Sequence, residues 1–289
     1  MTTLENKVVI VTGAGRGIGR AVALGAASAG ARIIVADTGT SMQGEATDNT
    51  VAENVAGKII SAGGEAATAT ASVTSREGAQ SIVNTALDTW GRVDGLVCCA
   101  CIVRHKPFLD VTEQDFEDVL DVHLKGHFLM YQEVLKAMIA RQIKGSLVGI
   151  SSGYVLGDPN RAAYRSAKAG IVALTKSVAL EAAKHDVRAN IVAPIANTRL
   201  TEAANLHFNS EPEDIAPLAV YLLSDRSEGI NGEIFSAQGN TISSWQDPYE
   251  KQSSRNPDRW KQEEIDCVMP WLRAGTTPLP PVPPLPEKK

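Results

Sequence analysis

The run Lys7-Val8-Val9-Ile10-Val11-Thr12-Gly13-Ala14-Gly15-Arg16-Gly17-Ile18-Gly19 constrains this chain more than any other stretch. Residues 8–11 are apolar and β-branched, which predicts a buried strand. Glycines follow at once, and residues 17–29 carry the spacing of a helix. A strand that turns through glycines into a helix leaves the first backbone N–H groups of that helix free to face a phosphate. On that reading Gly13 permits the tight turn, Gly17 lets the backbone approach a pyrophosphate, and Gly19 lets the helix pack close to the sheet. Gly15, Arg16 and Ile18 complete the loop. The spacing is G-x-x-x-G-x-G with Thr12 in front, rather than the commoner G-x-G-x-x-G. A glycine-rich turn without a ligand is the alternative.

Asp37 ends the next apolar run, residues 31–36. A carboxylate there can accept hydrogen bonds from the hydroxyls of an adenosine ribose. It would repel a 2′-phosphate, so NAD is favoured over NADP. Arg16 pulls the other way, because a cation in the phosphate loop can pair with a 2′-phosphate. The structural alternative for Asp37 is a turn or capping residue.

Strands are predicted at residues 8–11, 33–35, 66–71, 93–98, 146–150 and 187–192. Helices are predicted at residues 17–29, 51–61, 77–90, 111–141 and 161–184, and the polar stretch 38–49 reads as a loop. Such alternation predicts an α/β fold built on a doubly wound parallel sheet, which binds ligands beyond the carboxyl ends of its strands. A chain of 289 residues, 44% hydrophobic, can bury one large core. One domain at residues 1–240 is therefore expected, with a C-terminal extension at 241–289. The extension mixes Trp245, Trp260, Trp271, prolines and charges without periodicity, and residues 276–289 are proline-rich and expected to be extended. A net charge of −5 argues against nucleic acid or an anionic membrane as a partner. No apolar stretch reaches membrane-spanning length, no signal peptide is visible, and the four cysteines do not form a secreted disulfide frame. A cytoplasmic location is the resulting expectation.

The second constellation is Tyr164-Arg165-Ser166-Ala167-Lys168. A tyrosine and a lysine at this spacing share one helix face, and an ammonium near a phenol stabilises the phenolate. Such a tyrosine can pass a proton to or from an alcohol oxygen. Ser151 and Ser152 close the strand at 146–150, where a hydroxyl can hydrogen-bond the same oxygen. Alone, Y-x-x-x-K is common on exposed helices; behind a nucleotide fingerprint and a strand-end serine it becomes specific. Cys98, Cys99 and Cys101, with His123 or His127, have the chemistry of zinc ligands. Successive strand residues point to opposite faces, however, so no metal is expected. Tyr154, Leu156, Arg104 and His105 follow strands and either line the substrate side or form ordinary loop surface.

Jointly these residues resemble the short-chain dehydrogenase/reductase family. The matching stretches are 12–19, Asp37, 150–152, Tyr164 with Lys168, 188–194 and 231–233, and the resemblance covers roughly residues 4–240. The long loop after Asp37, Val122-His123-Leu124-Lys125-Gly126 and the short segment after Thr201 are most similar to (R)-3-hydroxyacyl-CoA dehydrogenase-like members. The resemblance implies a Rossmann-type fold with Tyr164 as acid/base, Lys168 on the nicotinamide ribose and His123 in the proton relay. It implies a serine of the pair at the substrate oxygen, Ser152 ahead of Ser151, and Thr198 on the nicotinamide carboxamide. Ser72, Val73, Cys99, Ala100 and Pro194 would border the cofactor, and Tyr154 the substrate.

Four departures stand out. Cys98-Cys99-Ala100-Cys101 replaces the usual Asn-Asn-Ala-Gly, Ser72 an aspartate, His123 an asparagine and Ile195 a glycine. The implied activity is NAD-dependent interconversion of a secondary alcohol and its ketone, with an acyl-CoA among the candidate substrates. The implied assembly is a homotetramer or homodimer through the helices at 111–141 and 161–184. The alternatives are an NADP-dependent ketoreductase and a cofactor-weakened member serving as a binding or scaffold protein.

Overall fold

The computed structural model describes residues 3–45, 47–152, 157, 159–202, 205–247, 251–257 and 259–274. Its strands are β1 (Val8–Thr12), β2 (Arg32–Ala36), β3 (Ala66–Ala69), β4 (Gly95–Cys98), β5 (Gly145–Ile150), β6 (Val187–Pro194), β7 (Ile234–Gln238) and β8 (Thr241–Trp245). They form one sheet in the order β3-β2-β1-β4-β5-β6-β7-β8. Every pairing is parallel except that of β7 with β8. The chain order reverses between β1 and β4, so a crevice opens there beyond the strand ends. This is a Rossmann-type doubly wound α/β fold.

The helices are α1 (Gly17–Ser28), α2 (Thr50–Ser61), α3 (Arg76–Trp90), α4 (Glu113–Leu120), α5 (Gly126–Ala140), α6 (Ala162–Ala182), α7 (Arg199–Glu202), α8 (Pro212–Leu223) and α9 (Gln262–Leu272). Alternation along the strands sorts them into two layers. Val9, Val11, Ile33, Val35 and Val148 face α1, α2 and α8. Val8, Ile10, Ile34, Leu96 and Leu147 face α3, α5 and α6. The central strands are buried on both faces, which is why they read as continuous apolar runs.

The predicted helix at 111–141 is three segments. Thr112 caps α4 by accepting from the Asp115 N–H while Asp115 accepts from the Thr112 N–H, so the helix starts at Glu113. Between α4 and α5, Asp121–Lys125 forms a π-helical turn that carries His123. Such wide turns inside α-helices concentrate at functional sites.

The sheet also continues beyond the expected boundary at residue 240. Residues 241–245 pair with β7 as β8, because Gly239 takes a positive φ of 51° and lets the chain reverse. The chain accordingly divides into two compact units, Met1–Trp245 and Gln246–Lys289. The second unit, expected to lack periodic structure, contains α9, where the Glu264 carboxylate accepts from the Lys261 N–H at 2.8 Å and from Asn256 Nδ2 at 2.9 Å. The proline-rich stretch 276–289 lies outside the described residues. Among the described residues no helix is long and apolar enough to cross a membrane.

Ile10 has no exposed surface and packs in the layer under α3 and α5. Ile10→Ala is expected to lower the unfolding free energy by about 2–5 kcal/mol in denaturant titration. Phe108→Ala, at a side chain 76% exposed, should shift it by no more than about 0.5 kcal/mol.

Candidate active site

The loops at the carboxyl ends of β1, β2, β4, β5 and β6 converge on the crevice. The Thr12 hydroxyl accepts from the backbone N–H of Cys99 at 3.2 Å and of Ala100 at 3.3 Å, drawing the chain after β4 across the end of β1. Gly13 takes a φ of 64°, and a Cβ there would lie 2.7 Å from the Ala100 nitrogen. A Cβ on Gly19 would strike the Gly13 carbonyl and come within 3.1 Å of Cys99 Cβ, so α1 packs hard against this crossing. Gly17 is the open position, because a Cβ there would meet the Thr198 side chain at ordinary contact distance, 3.6 Å from its Cγ2.

Asp37 follows β2. Its carboxylate accepts from the Gly15 N–H at 2.8 Å and from the Gly39 N–H at 2.7 Å, so it belongs both to the glycine turn and to the loop after β2. Arg16 Nη1 donates to the Thr40 carbonyl at 3.0 Å. That loop is closed by Asp48 N–H donating to Thr38 O, and its tip meets the segment after Cys101 through Val103 N–H on Met42 O.

These residues fit a dinucleotide. α1 begins with no capping side chain and no acidic residue in its first turn, so its N-terminal N–H groups suit an anion. The cradle between the open Gly17 face and Thr198 gives a diphosphate room, with the Asp37 carboxylate at the β2 end for a ribose. Pro194 ends β6, and Thr198 opens α7 while its N–H donates to Thr201 Oγ1 at 2.7 Å. Ser72 and Val73 follow β3. Ser72 is exposed and bonded to Thr74 Oγ1 at 2.9 Å, whereas Val73 is buried against Gly126.

On the other side of the crevice, α6 brings Tyr164 and Lys168 to the end of β5. Ser151 is buried and its hydroxyl donates to the Lys168 carbonyl at 2.9 Å, tying β5 to α6. Ser152 faces the crevice instead. Its hydroxyl accepts from Arg165 Nη1 at 2.8 Å and is near enough to the Tyr164 phenol to lower its pKa. The Arg165 guanidinium lies 5.6 Å from the Tyr164 ring centroid, and Lys168 Nζ 5.5 Å from it. Arg165 sits inside the Tyr–Lys motif, yet nothing in the spacing marks it as a partner of Ser152. Tyr154 and Leu156 lie outside the described residues. Arg104 is held in ion pairs with Asp115 and Asp118, and Lys106 with Asp115. Arg104 therefore anchors the loop to α4.

The phenol does not behave as the Tyr–Lys spacing alone predicts. Burial raises the Tyr164 pKa above its ordinary value and Cys101 adds to the rise, against lowering by Arg165, the Ser152 hydrogen bond and Arg161. Lys168 directs its ammonium to the Ile150 carbonyl at 2.7 Å, and burial lowers its pKa. Burial also raises the thiols, Cys98 well above its ordinary value, Cys99 to about 12 and Cys101 in the same direction. Cys98 packs in the α3–α5–α6 layer and Cys99 against the opposite one, so these neighbours do not converge.

His123 sits edge-on to Tyr164, ring centroids 5.4 Å apart. Its Nε2 is 2.8 Å from the Ile102 carbonyl and 3.3 Å from the Ile102 nitrogen. The shorter contact assigns the proton to Nε2, donating to the carbonyl. His127 Nδ1 donates to the His123 carbonyl at 2.6 Å. Burial lowers both imidazoles, His123 well below its ordinary value and His127 to about 3.

A family model described as short chain dehydrogenase matches residues 7–207. A 3-oxoacyl-[acyl-carrier-protein] reductase of Synechocystis is 35% identical over 84% of this chain and 99% of its own length. A hydroxyacyl-CoA dehydrogenase of Mycobacterium tuberculosis is 30% identical over 96% of this chain and 92% of its own. Against the mouse peroxisomal multifunctional enzyme type 2, 35% identical over 80% of this chain, the match spans 31% of the relative. A crystal structure of a short chain dehydrogenase from Mycobacterium avium superposes with a TM-score of 0.87 at 35% identity, covering 97% of this chain and 99% of that one.

The buried imidazoles make stability pH-dependent. The unfolded chain binds a proton at His127 near pH 6.5, whereas the folded imidazole stays neutral until about pH 3. The unfolded state thus holds more protons in that window, and stability falls as pH falls from 6.5 toward 3. His127→Gln keeps a donor for the His123 carbonyl but does not titrate. Its melting temperature should decline less steeply than the wild type's between pH 6.5 and 4.5, as followed by circular dichroism.

Proposed function

This chain belongs to the short-chain dehydrogenase/reductase family of oxidoreductases, which use NAD or NADP, and from that premise we propose an NAD-dependent 3-hydroxyacyl thioester dehydrogenase. The observation that carries the reading is the meeting of Ser152 and Tyr164, with Lys168 beneath, in the crevice that Gly13–Gly19 and Asp37 border. Support for the thioester comes from relatives named for hydroxyacyl-CoA and oxoacyl carrier-protein substrates. Support for NAD comes from Asp37, whose carboxylate is pinned at the β2 end where a 2′-phosphate would need room and positive charge.

Bound nicotinamide supplies hydride exchange with the carbinol carbon. The protein's own residues handle the oxygen. Tyr164 gives a proton to that oxygen in reduction and takes it in oxidation. Ser152 donates its hydroxyl hydrogen to the same oxygen, since Arg165 already occupies one of its lone pairs. Lys168 places a buried cation beside the charge that develops there. His123 holds Ile102, and with it the loop after β4 that borders the crevice. Thr198 and the N-terminus of α1 hold the cofactor's carboxamide and diphosphate. Apolar Phe116, Phe128 and Leu180 stand exposed on α4, α5 and α6, which supports a homo-oligomer built through those helices.

The test is titration with NADH and NADPH by nicotinamide fluorescence, then assay with 3-oxoacyl-CoA. NADH should bind more tightly than NADPH, and Tyr164→Phe should lose at least about a hundredfold in kcat while still binding NADH. Because burial keeps the phenol protonated at neutral pH, alcohol oxidation should accelerate as pH rises through the alkaline range. Tighter NADPH binding would support the ketoreductase reading, and binding without turnover the scaffold reading. Light scattering should give a multiple of 30.7 kDa for the wild type and a lower multiple for Leu180→Glu.

A further inference from the structure

Two cations meet at one oxygen of the cofactor crevice. Arg16, from the glycine turn, donates Nη1 to the Thr40 carbonyl at 3.0 Å, and Arg199, from α7, places Nη2 3.5 Å from the same oxygen. Both side chains are half-buried, and among the described residues neither has a carboxylate within ion-pair distance. The acidic groups that act on them are Asp37 on Arg199 and Asp48 on Arg16, both at longer range. Burial lowers the Arg199 pKa, and the Arg16 charge lowers it further. Two like charges sharing one carbonyl repel, and an anion between them would relieve the repulsion.

The surroundings say which anion. Arg199 interacts electrostatically with Asp37, at the ribose end of the crevice, and with Cys101, beside Tyr164. By its place in the chain it follows directly on Thr198, the residue that faces open Gly17 in the phosphate cradle. The middle of a dinucleotide is its diphosphate. We propose that Arg199 and Arg16 form a clasp that joins α7 to the N-terminus of α1 over the diphosphate of the bound dinucleotide. Guanidinium forks suit two phosphates bridged at this spacing, and α7 is joined by the clasp to the loop after β2. The inference rests on the dinucleotide reading above and adds to it the residues that cover the ligand.

The experiment is equilibrium binding of NADH, ADP, 2′,5′-ADP and adenosine to the full-length wild type and to Arg199→Leu, Arg199→Lys and Arg16→Leu, at low and high salt. Arg199→Leu should weaken NADH and ADP about tenfold or more, leave adenosine unchanged and flatten the salt dependence. Arg199→Lys should recover part of the loss, and Arg16→Leu should lose ADP in the same sense. Unchanged ADP affinity in folded Arg199→Leu would overturn the clasp, and so would an equal loss of adenosine. A larger loss for 2′,5′-ADP than for ADP would move the cation to an adenosine 2′-phosphate and overturn it as well. A wild type that binds neither NADH nor ADP would remove the dinucleotide reading itself, a result distinct from all of these.

Discussion

Two backbone N–H groups converge on one hydroxyl at the centre of the sheet, and the crevice depends on that convergence. Thr12 Oγ1 holds Cys99 and Ala100 across the end of β1, so the chain leaving β4 passes directly over the glycine turn. Gly13 then has no room for a Cβ, and Gly19 none either, because α1 leaves the same crossing. β5 follows from β4 through the register Cys98↔Gly149, which carries Ser151 and Ser152 to the crevice. Ser151 grips the backbone of α6 at Lys168, and α6 then presents Tyr164. The nucleotide side and the chemical side are thus positioned from one contact, by backbone and short side chains that have little freedom to move.

Burial sets the charge of what lies between them. The titratable groups near Lys168 are Cys98, Cys99, Cys101, His123, His127 and Tyr164. Burial pushes each toward its neutral form. Burial pushes Lys168 the same way, and its ammonium is held by the Ile150 carbonyl at 2.7 Å, with Arg165 beside Tyr164. In a low-dielectric site an unopposed cation acts strongly on charge that forms nearby. In the proposed reaction such a cation would stabilise negative charge on an oxygen held by Ser152 and Tyr164. A phenol raised by burial stays protonated at neutral pH.

The α/β class, the sheet core and the two motifs were legible because each is local. Strand runs, glycine turns and a Tyr–Lys spacing leave a periodic or contiguous trace. Asp37 was legible for the same reason, standing directly after an apolar run. The π turn was not, since 121–125 keeps an apolar, helix-like pattern and the widening is a backbone response around buried His123. β8 was missed because its outward residues are all exposed and no apolar face marks it. Arg165 and Arg199 were invisible as site residues, because their partners Ser152 and Thr40 lie 13 and 159 positions away. The distinction between Ser151 and Ser152 turns on which side of the strand end each hydroxyl faces, a matter of geometry that one-residue counting leaves open.

The cysteine cluster looked like damage to the nucleotide site, and its contacts argue otherwise. Thr12 receives backbone N–H groups at this crossing, and His123 grips the Ile102 carbonyl, to which the Cys101 thiol also donates at 3.8 Å. Cys98 fills the core and Cys99 packs toward α1, uses for which a buried, neutral thiol serves as a small apolar group. At Cys101 the backbone is not among the positive-φ positions, which outside glycine, among the described residues, are Asn6, Gln142, Asn160, Asp186 and Asn205. A glycine there would answer no conformational demand of this chain. What Cys101 changes is the surface beside Tyr164, where a buried thiol stands in place of bare backbone. The substitution thus changes the wall beside Tyr164 and asks nothing of the backbone that crosses the glycine turn.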